Sequence, residues 1–496
     1  MIKTGIFLLV IQTLFINGYQ KSDKQVADKI FPELTWAGEV GARNMPVKTK
    51  IFKVNDFGAK NDGKTLNTKA IQNAIDKCSG RGGGVVTFDS GSYLTGSLFV
   101  KKGVNLVIGK NVILLGSQNL DDYPEINTRI AGVEMKWPAA LINAINQKNV
   151  AITGEGTVHA QGKPFWDKYW KMRAEYEKKG LRWIVDYDCK RPRTLLVSGS
   201  SDVTIKDITL KQAGFWTVQL LYSKYVTVNG ITIQNNVDGS GPSTDGIDID
   251  SSSWILVQNC DIDCNDDDFC LKAGRDADGL RVNRPTEYVV IHDCVARKGA
   301  GLITCGSETS GGIRNVLAYN LIANGTTNCI NFKSAITRGG TVENIYVHDI
   351  QMNNVGTMLR ATMDWNPSYS YSTLPKEYSM DNIPNHWKVM LQQVPPAQGT
   401  PHFKNVHLTG MKGTVRGAAI SISGMKESPI ENYFLTDVDV ESRTPGDISF
   451  AKGWRLVNVS IKSTNGGALN FQNTIDMEGD VPASIAKQMN KRTIEQ

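Results

Sequence analysis

The chain has 496 residues, 55 basic and 49 acidic, for a net charge of +6. That length exceeds what one ordinary globular core holds unless the fold is built from repeats that touch only their neighbours. With 41% hydrophobic and 21% charged residues the composition is that of a soluble protein. No basic stripe is interleaved with aromatics, which argues against nucleic acid; the mild positive excess is compatible with an acidic partner. In chain order, Met1-Ile2-Lys3, the apolar run Gly5 to Ile16 and the polar stretch Asn17 to Ser22 read as a signal peptide over residues 1–20. The run is too short for a stable membrane anchor, and no cysteine lies near the cleavage region, so a secreted or periplasmic protein without a lipid anchor is expected. Residues 21–48 read as a linker and 49–125 as an N-terminal cap with the first coils. In that region Thr65 to Cys78 has helical spacing, followed by Gly82-Gly83-Gly84 and the strand-like Val85-Val86-Thr87-Phe88.

From about Asn149 a phrase recurs: a short β-branched strand, a polar turn residue, then a second short apolar stretch. Examples are Val203-Thr204-Ile205-Lys206-Asp207, Ile255-Leu256-Val257-Gln258-Asn259, Val289-Val290-Ile291-His292-Asp293, Val316-Leu317-Ala318-Tyr319-Asn320 and Ile345-Tyr346-Val347-His348-Asp349. A β-sandwich also has many short strands, but not this repeated phrase. The expected fold is all-β: a right-handed parallel β-helix with an N-terminal helical cap, its catalytic solenoid over 126–465 and a C-terminal tail over 466–496. The eight cysteines, Cys78, Cys189, Cys260, Cys264, Cys270, Cys294, Cys305 and Cys329, contain no CxxC pair and read as free thiols packed as small hydrophobes.

The densest acidic cluster is Ser243-Thr244-Asp245-Gly246-Ile247-Asp248-Ile249-Asp250, followed by Asn265-Asp266-Asp267-Asp268-Phe269-Cys270-Leu271-Lys272. Asp245 and Asp266 are about one coil apart, so a solenoid stacks them on adjacent rungs. Crowded carboxylates suit glycoside hydrolysis, which needs one carboxylic acid to protonate the leaving oxygen and others to activate water. On spacing alone, a solvated turn or a calcium site is an equal reading.

These motifs resemble those of glycoside hydrolase family 28, the polygalacturonase and rhamnogalacturonan hydrolase family. Ser243-Thr244-Asp245 is similar to its Asn-Thr-Asp motif with one change, and Asn265 to Lys272 to its Gly-Asp-Asp-Cys motif with following Lys. Asp56-Phe57-Gly58-Ala59, Phe215-Trp216-Thr217-Val218 and Arg338-Gly339-Gly340-Thr341 look like the family too. The resemblance implies an inverting hydrolase of galacturonic-acid linkages in pectin, with Asp266 as general acid and Asp245 and Asp267 holding the attacking water. In such enzymes the two carboxyl groups stand about 6.5–9.5 Å apart. It implies no metal or organic cofactor, an acidic cell-wall polysaccharide as partner and a monomer. Lys272 and Lys333 are candidates for gripping a uronate carboxylate, with Trp216, Gln219, Glu308 and Asn331 as further substrate contacts.

The chain departs from the family at Ala300, where the family has His, at Asn331, where it has Arg, and at Gln219, where a His is usual. Losing an imidazole near the acid and a guanidinium clamp points to rhamnogalacturonan as substrate, with exo-cleavage of homogalacturonan as the alternative. A pectate-lyase-like enzyme or a non-catalytic pectin-binding solenoid are the other classes. Arg191 and Arg193 read as surface charge. The segment Thr362 to Gln398, rich in Trp, Tyr and Pro, could close one end of a groove or pack as a surface loop.

Overall fold

A computed structural model of the chain describes residues 34–46 and 49–480; the segment read as a signal peptide lies outside them. Among the described residues the strands form three long parallel ladders that wind into a parallel β-helix. The repeated phrase explains the winding. Val150, Val203, Val226, Ile255, Val289, Val316, Ile345 and Val406 pair rung upon rung, and all are buried. Period-two alternation sends one set of side chains into a continuous core and the other to the outer surface. β-branched residues fit such a pleated, crowded interior.

The polar residue that ends each phrase turns the chain. Asp207, Asn259, Asp293, Asn320 and Asp349 take φ values of 62°, 55°, 53°, 51° and 52°. Asn and Asp tolerate this left-handed region better than other side-chain-bearing residues, and their short polar groups bond along the stack. The Asn320 amide donates to Asp293 and that of Asn259 donates to Asn229 at 2.9 Å.

The helix expected over Thr65 to Cys78 runs Thr68–Gly80. Its Ile71, Ala74, Ile75 and Cys78 face shares the solenoid's core with the first strands. Residues 34–46, within the segment read as a linker, are packed instead: Leu34, Ala37 and Val40 cover Leu256, Val290 and Leu317 on the outside of the solenoid. The tail expected from residue 466 continues the ladders through Asn470–Ile475 and Glu478–Asp480. All eight cysteines are free and buried. Among the described residues no helix is long and apolar enough to cross a membrane.

The left-handed turn column makes a direct prediction. Asn320→Ile puts a β-branched side chain at φ 51° and should cost about 1–2 kcal/mol, seen as a lower Tm, whereas Asn320→Gly should cost less.

Candidate active site

The acidic motifs occupy one corner of the solenoid, where the chain turns into the ladder containing Ile247–Asp250 and Phe269–Lys272. Ile247 pairs with Phe269 and Asp250 with Lys272. That register, with Gly246 N–H donating to Asp267 O at 2.9 Å, sets Asp245 beside Asp267. Ile247, Ile249, Phe269 and Leu271 point into the core, so Asp248, Asp250, Cys270 and Lys272 point out. Asp245, Asp266 and Asp267 each place a carboxylate oxygen within 4.8 Å of the others. This gap between oxygens is smaller than the separation of about 6.5–9.5 Å expected between the carboxyl groups of an inverting pair.

Two lysines compensate the charge. Lys333 Nζ lies 2.7 Å from Asp267 Oδ2, while the Thr304 hydroxyl donates to Asp267 Oδ1 at 2.8 Å. Lys272 Nζ lies 3.6 Å from Asp245, 3.6 Å from Asp248 and 3.3 Å from Glu308. Burial, then the charges of Asp266 and Asp267, push Asp245 well above the usual carboxylate range. Burial and Asp267 also raise Asp266, against the pull of Lys333 and Lys272. The cluster therefore retains a proton at pH values where an exposed aspartate is ionised. Burial works against the Lys272 ammonium, but Cys270, Glu308, Asp245 and Asp248 outweigh it and hold its pKa well above the ordinary value. Lys333 is likewise raised: Asp267 and Asp266 overcome the burial. Neither lysine is a free base. Burial disfavours the Glu308 carboxylate, yet Lys272, Arg338, Lys333 and Arg275 lower its pKa to about 2. The three aspartates are close enough to share a cation, as are Asp245, Asp248 and Cys270, but the lysines already supply counter-charge to both groups.

The cluster opens into a pocket of about 80 Å³. Asp245, Asp266, Asp267, Lys272, Glu308, Lys333 and Trp216, all singled out in the sequence, line it. Trp216 stacks on Phe215 and lies 4.8 Å under the Lys272 ammonium. Phe215, Ser243 and Ser307 join them from the coils, and the other walls come from insertions that carry no repeat signal. The antiparallel hairpin Glu125–Ile130 and Val133–Pro138 supplies Ala131. The segment containing helices Lys163–Lys178 and Val185–Asp188 supplies Arg182 and Asp186, and the segment after Thr362 supplies Trp365 and Tyr369. These insertions are tied to one another. Trp183 meets Trp387 at 5.5 Å, Trp387 Nε1 donates to Asp188, and the Arg182 guanidinium lies 5.1 Å over Tyr369. The Thr362 to Gln398 segment thus forms part of the site's wall.

Residues 95–375, more than half of the chain, match the family model described as glycosyl hydrolases family 28. The chain belongs to this family. It is 33% identical to a probable polygalacturonase of Vitis vinifera over 311 residues, 60% of each chain. It is 28% identical to an exo-poly-alpha-D-galacturonosidase of Dickeya chrysanthemi over 458 residues, 84% of this chain and 72% of that one. The crystal structure of an exopolygalacturonase from Thermotoga maritima shares the fold with a TM-score of 0.68 and 24% identity, across 91% of this chain and 96% of that one.

The positions where this family 28 chain departs from the motifs have distinct fates. Ala300 N–H donates to Asp266 O at 2.8 Å, so residue 300 stands on the rung after the expected acid and offers it only a methyl group. Asn331, 4% exposed, lies beside Thr304 on the next rung, and its Oδ1 is buried without a partner. Gln219 does not reach the pocket: it is fully buried, accepting from Arg193 at 2.5 Å and donating to Asp250 at 3.2 Å. Arg191 and Arg193, expected at the surface, are also fully buried. Arg191 lies over the Tyr169 and Phe215 rings and donates to Pro242 O at 2.7 Å, because the insertions close over it.

The opposite pKa directions predict opposite stability effects. Asp245 binds its proton more tightly folded than unfolded, so its ionisation costs stability as pH rises above the ordinary carboxylate value. Asp245→Asn should raise Tm at pH 7, with the gain vanishing near pH 3.5. Glu308 contributes stability above pH 4.5 that is lost as pH falls towards 2. Glu308→Gln should cost about 3–5 kcal/mol at pH 7 by breaking a buried ion pair. Thermal melts across pH check both.

Proposed function

We propose that the chain is an exo-acting pectic glycosidase that removes a terminal galacturonate unit by a single displacement with inversion. The observation that carries this reading is the pocket itself: three carboxylates at its base and joined insertions for walls. A walled pocket accepts a chain end, whereas cleavage within a chain needs a groove open at both ends. Asp266, whose carboxyl is raised by burial and Asp267, protonates the leaving oxygen. Asp245 and Asp267 hold the water, and the Asp267 carboxylate is oriented by Lys333 and Thr304. Lys272, Lys333 and the pocket-lining Arg182 give the site cations for a uronate carboxylate. The similarity to an exo-poly-alpha-D-galacturonosidase supports the same reading. Action on an external polymer accords with the amino-terminal segment read as a secretion signal. The raised lysines weigh against a lyase, which needs an unprotonated base.

Ala300 and Asn331 favour a second substrate reading, rhamnogalacturonan, because both remove family side chains from the face that carries the acid. The test is hydrolysis of polygalacturonate and of rhamnogalacturonan I backbone side by side, with products sized by chromatography. Monogalacturonate alone from polygalacturonate is the expected result. A ladder of oligomers would overturn exo action, and release from the alternating polymer alone would select rhamnogalacturonan. Asp266→Asn should lower either rate by about 10²–10⁴-fold; a rate that survives would remove Asp266 from the mechanism.

A further inference from the structure

Asp248 belongs to the acidic corner but neither lines the pocket nor meets a hydrogen-bond donor among the described residues. It lies on the strand Ile247–Asp250, three residues after Asp245, and is fully buried. Both of its carboxyl oxygens are without a partner, and so is Asp245 Oδ1. One carboxyl oxygen of each residue lies within 4.8 Å of the other. The neighbouring rungs offer Asp248 no donor. On the rung before, Gln219 pairs with it in register, but that amide is taken by Arg193 and Asp250. On the rung after, its partner is Cys270, whose thiol lies 3.3 Å from Gly306 O. Arg129, from the hairpin, is paired with Asp250 at 2.9 Å. Arg193 donates to Gln219 and to Thr128, and forms no ion pair among the described residues.

Counter-charge is short at this spot. Lys272 Nζ lies 3.6 Å from Asp245 and 3.6 Å from Asp248, and among the described residues it is the one cation in ion-pair range of either. The same ammonium also serves Glu308 at 3.3 Å, while Lys333 is engaged by Asp267 at 2.7 Å. Two facing carboxylates around one shared ammonium, with three oxygens lacking a donor, are costly to bury ionised. A proton between them gives one a donor and the other an acceptor. Burial and the charge of Asp245 push Asp248 well above the usual carboxylate range, in line with a pair that keeps a proton.

We infer that Asp248 is a neutral carboxylic acid whose hydroxyl donates to Asp245, leaving Asp245 ionised to hold the attacking water. The inference rests on the reading of Asp245 as one of the two aspartates that hold that water. Position decides which carboxyl keeps the proton. Asp245 lines the pocket, where water solvates its charge, and Asp248 does not, so the neutral form falls to Asp248. A hydrogen bond to the charged form favours that form, so Asp248 offsets the burial and the Asp266 and Asp267 charges that hinder ionisation of Asp245. Asp248 touches no substrate and is a positioning residue.

The acidic limb of kcat/KM against pH, measured on whichever pectic polymer the enzyme hydrolyses, reports ionisation of the base in the free enzyme. Asp248→Ala removes the donor and should move that limb up by about one to two pH units, a loss of about tenfold or more in rate on the limb. Asp248→Asn keeps a neutral donor of the same shape and should bring the limb back to within about 0.5 unit of the parent. A limb that Asp248→Ala leaves in place would overturn the inference. So would a limb that Asp248→Asn moves down, the mark of a negative charge removed from beside Asp245. Infrared difference spectra of the full resting chain at neutral pH read the proton without turnover. Asp248→Asn should lose the carbonyl stretch of one neutral carboxylic acid and keep the carboxylate bands; loss of a carboxylate band instead would overturn the inference. These spectra also separate it from the catalytic reading. Turnover that survives Asp245→Asn would remove both residues from the reaction, while the infrared loss would still place the proton on Asp248.

Discussion

Stacking one coil on the next at about 4.8 Å forces outward side chains on successive rungs into contact. The register Ile247 to Phe269 brings two acidic turns together at one corner, and the cost of that crowding shapes everything around it. Three carboxylates within reach of one another are tolerated because Lys272 and Lys333 stand among them and because a proton is retained. Buried ion pairs of this kind contribute little net stability, so their presence is better explained by chemistry than by folding. The pressure on the carboxyl pKa values is what a general acid requires.

Rigid and variable parts are divided cleanly. The clustered carboxylates sit at the corner that leads into the ladder, where hydrogen-bonded rungs and a continuous apolar core hold the adjoining strands. The walls are insertions that leave the coils and pack into a separate aromatic cluster containing Trp137, Trp183, Phe215, Trp216 and Trp387. That cluster anchors Arg182, Asp186 and Tyr369 around the pocket. The solenoid thus carries the acidic cluster, while the insertions wall the pocket above it.

The same division explains what could be read from the sequence. The strand phrase, the left-handed Asn and Asp turns and the aspartate pair separated by one coil follow from local pattern and a near-constant rung length. Lys272, Glu308, Lys333 and Trp216 follow from motifs on the same ladder. Arg191 and Arg193 do not: Lys190-Arg191-Pro192-Arg193 has the local look of a surface turn, yet its partners Asp186, Pro242, Thr128 and Gln219 come from different coils and insertions. Gln219 lies at a motif position, but Arg193 and Asp250 occupy its amide beneath the groove. Arg182, Trp365 and Tyr369 carry no periodic signal at all. Residues 34–46 read as a linker because their few apolar side chains have no repeat, and only the outward-facing Leu256, Val290 and Leu317 stripe gives them a place to pack.

In the proposed reaction the clustered aspartates hold a water and do not attack the sugar themselves. Their close approach makes this a real alternative, since carboxyl groups about 5–5.5 Å apart serve double displacement in retaining enzymes. The direct measurement is proton NMR of the product anomer during the first turnovers on an α-linked galacturonide, before mutarotation. Initial accumulation of the β-anomer is the result expected of a water held by Asp245 and Asp267. Initial accumulation of the α-anomer would contradict it and assign one of these aspartates as a covalent nucleophile.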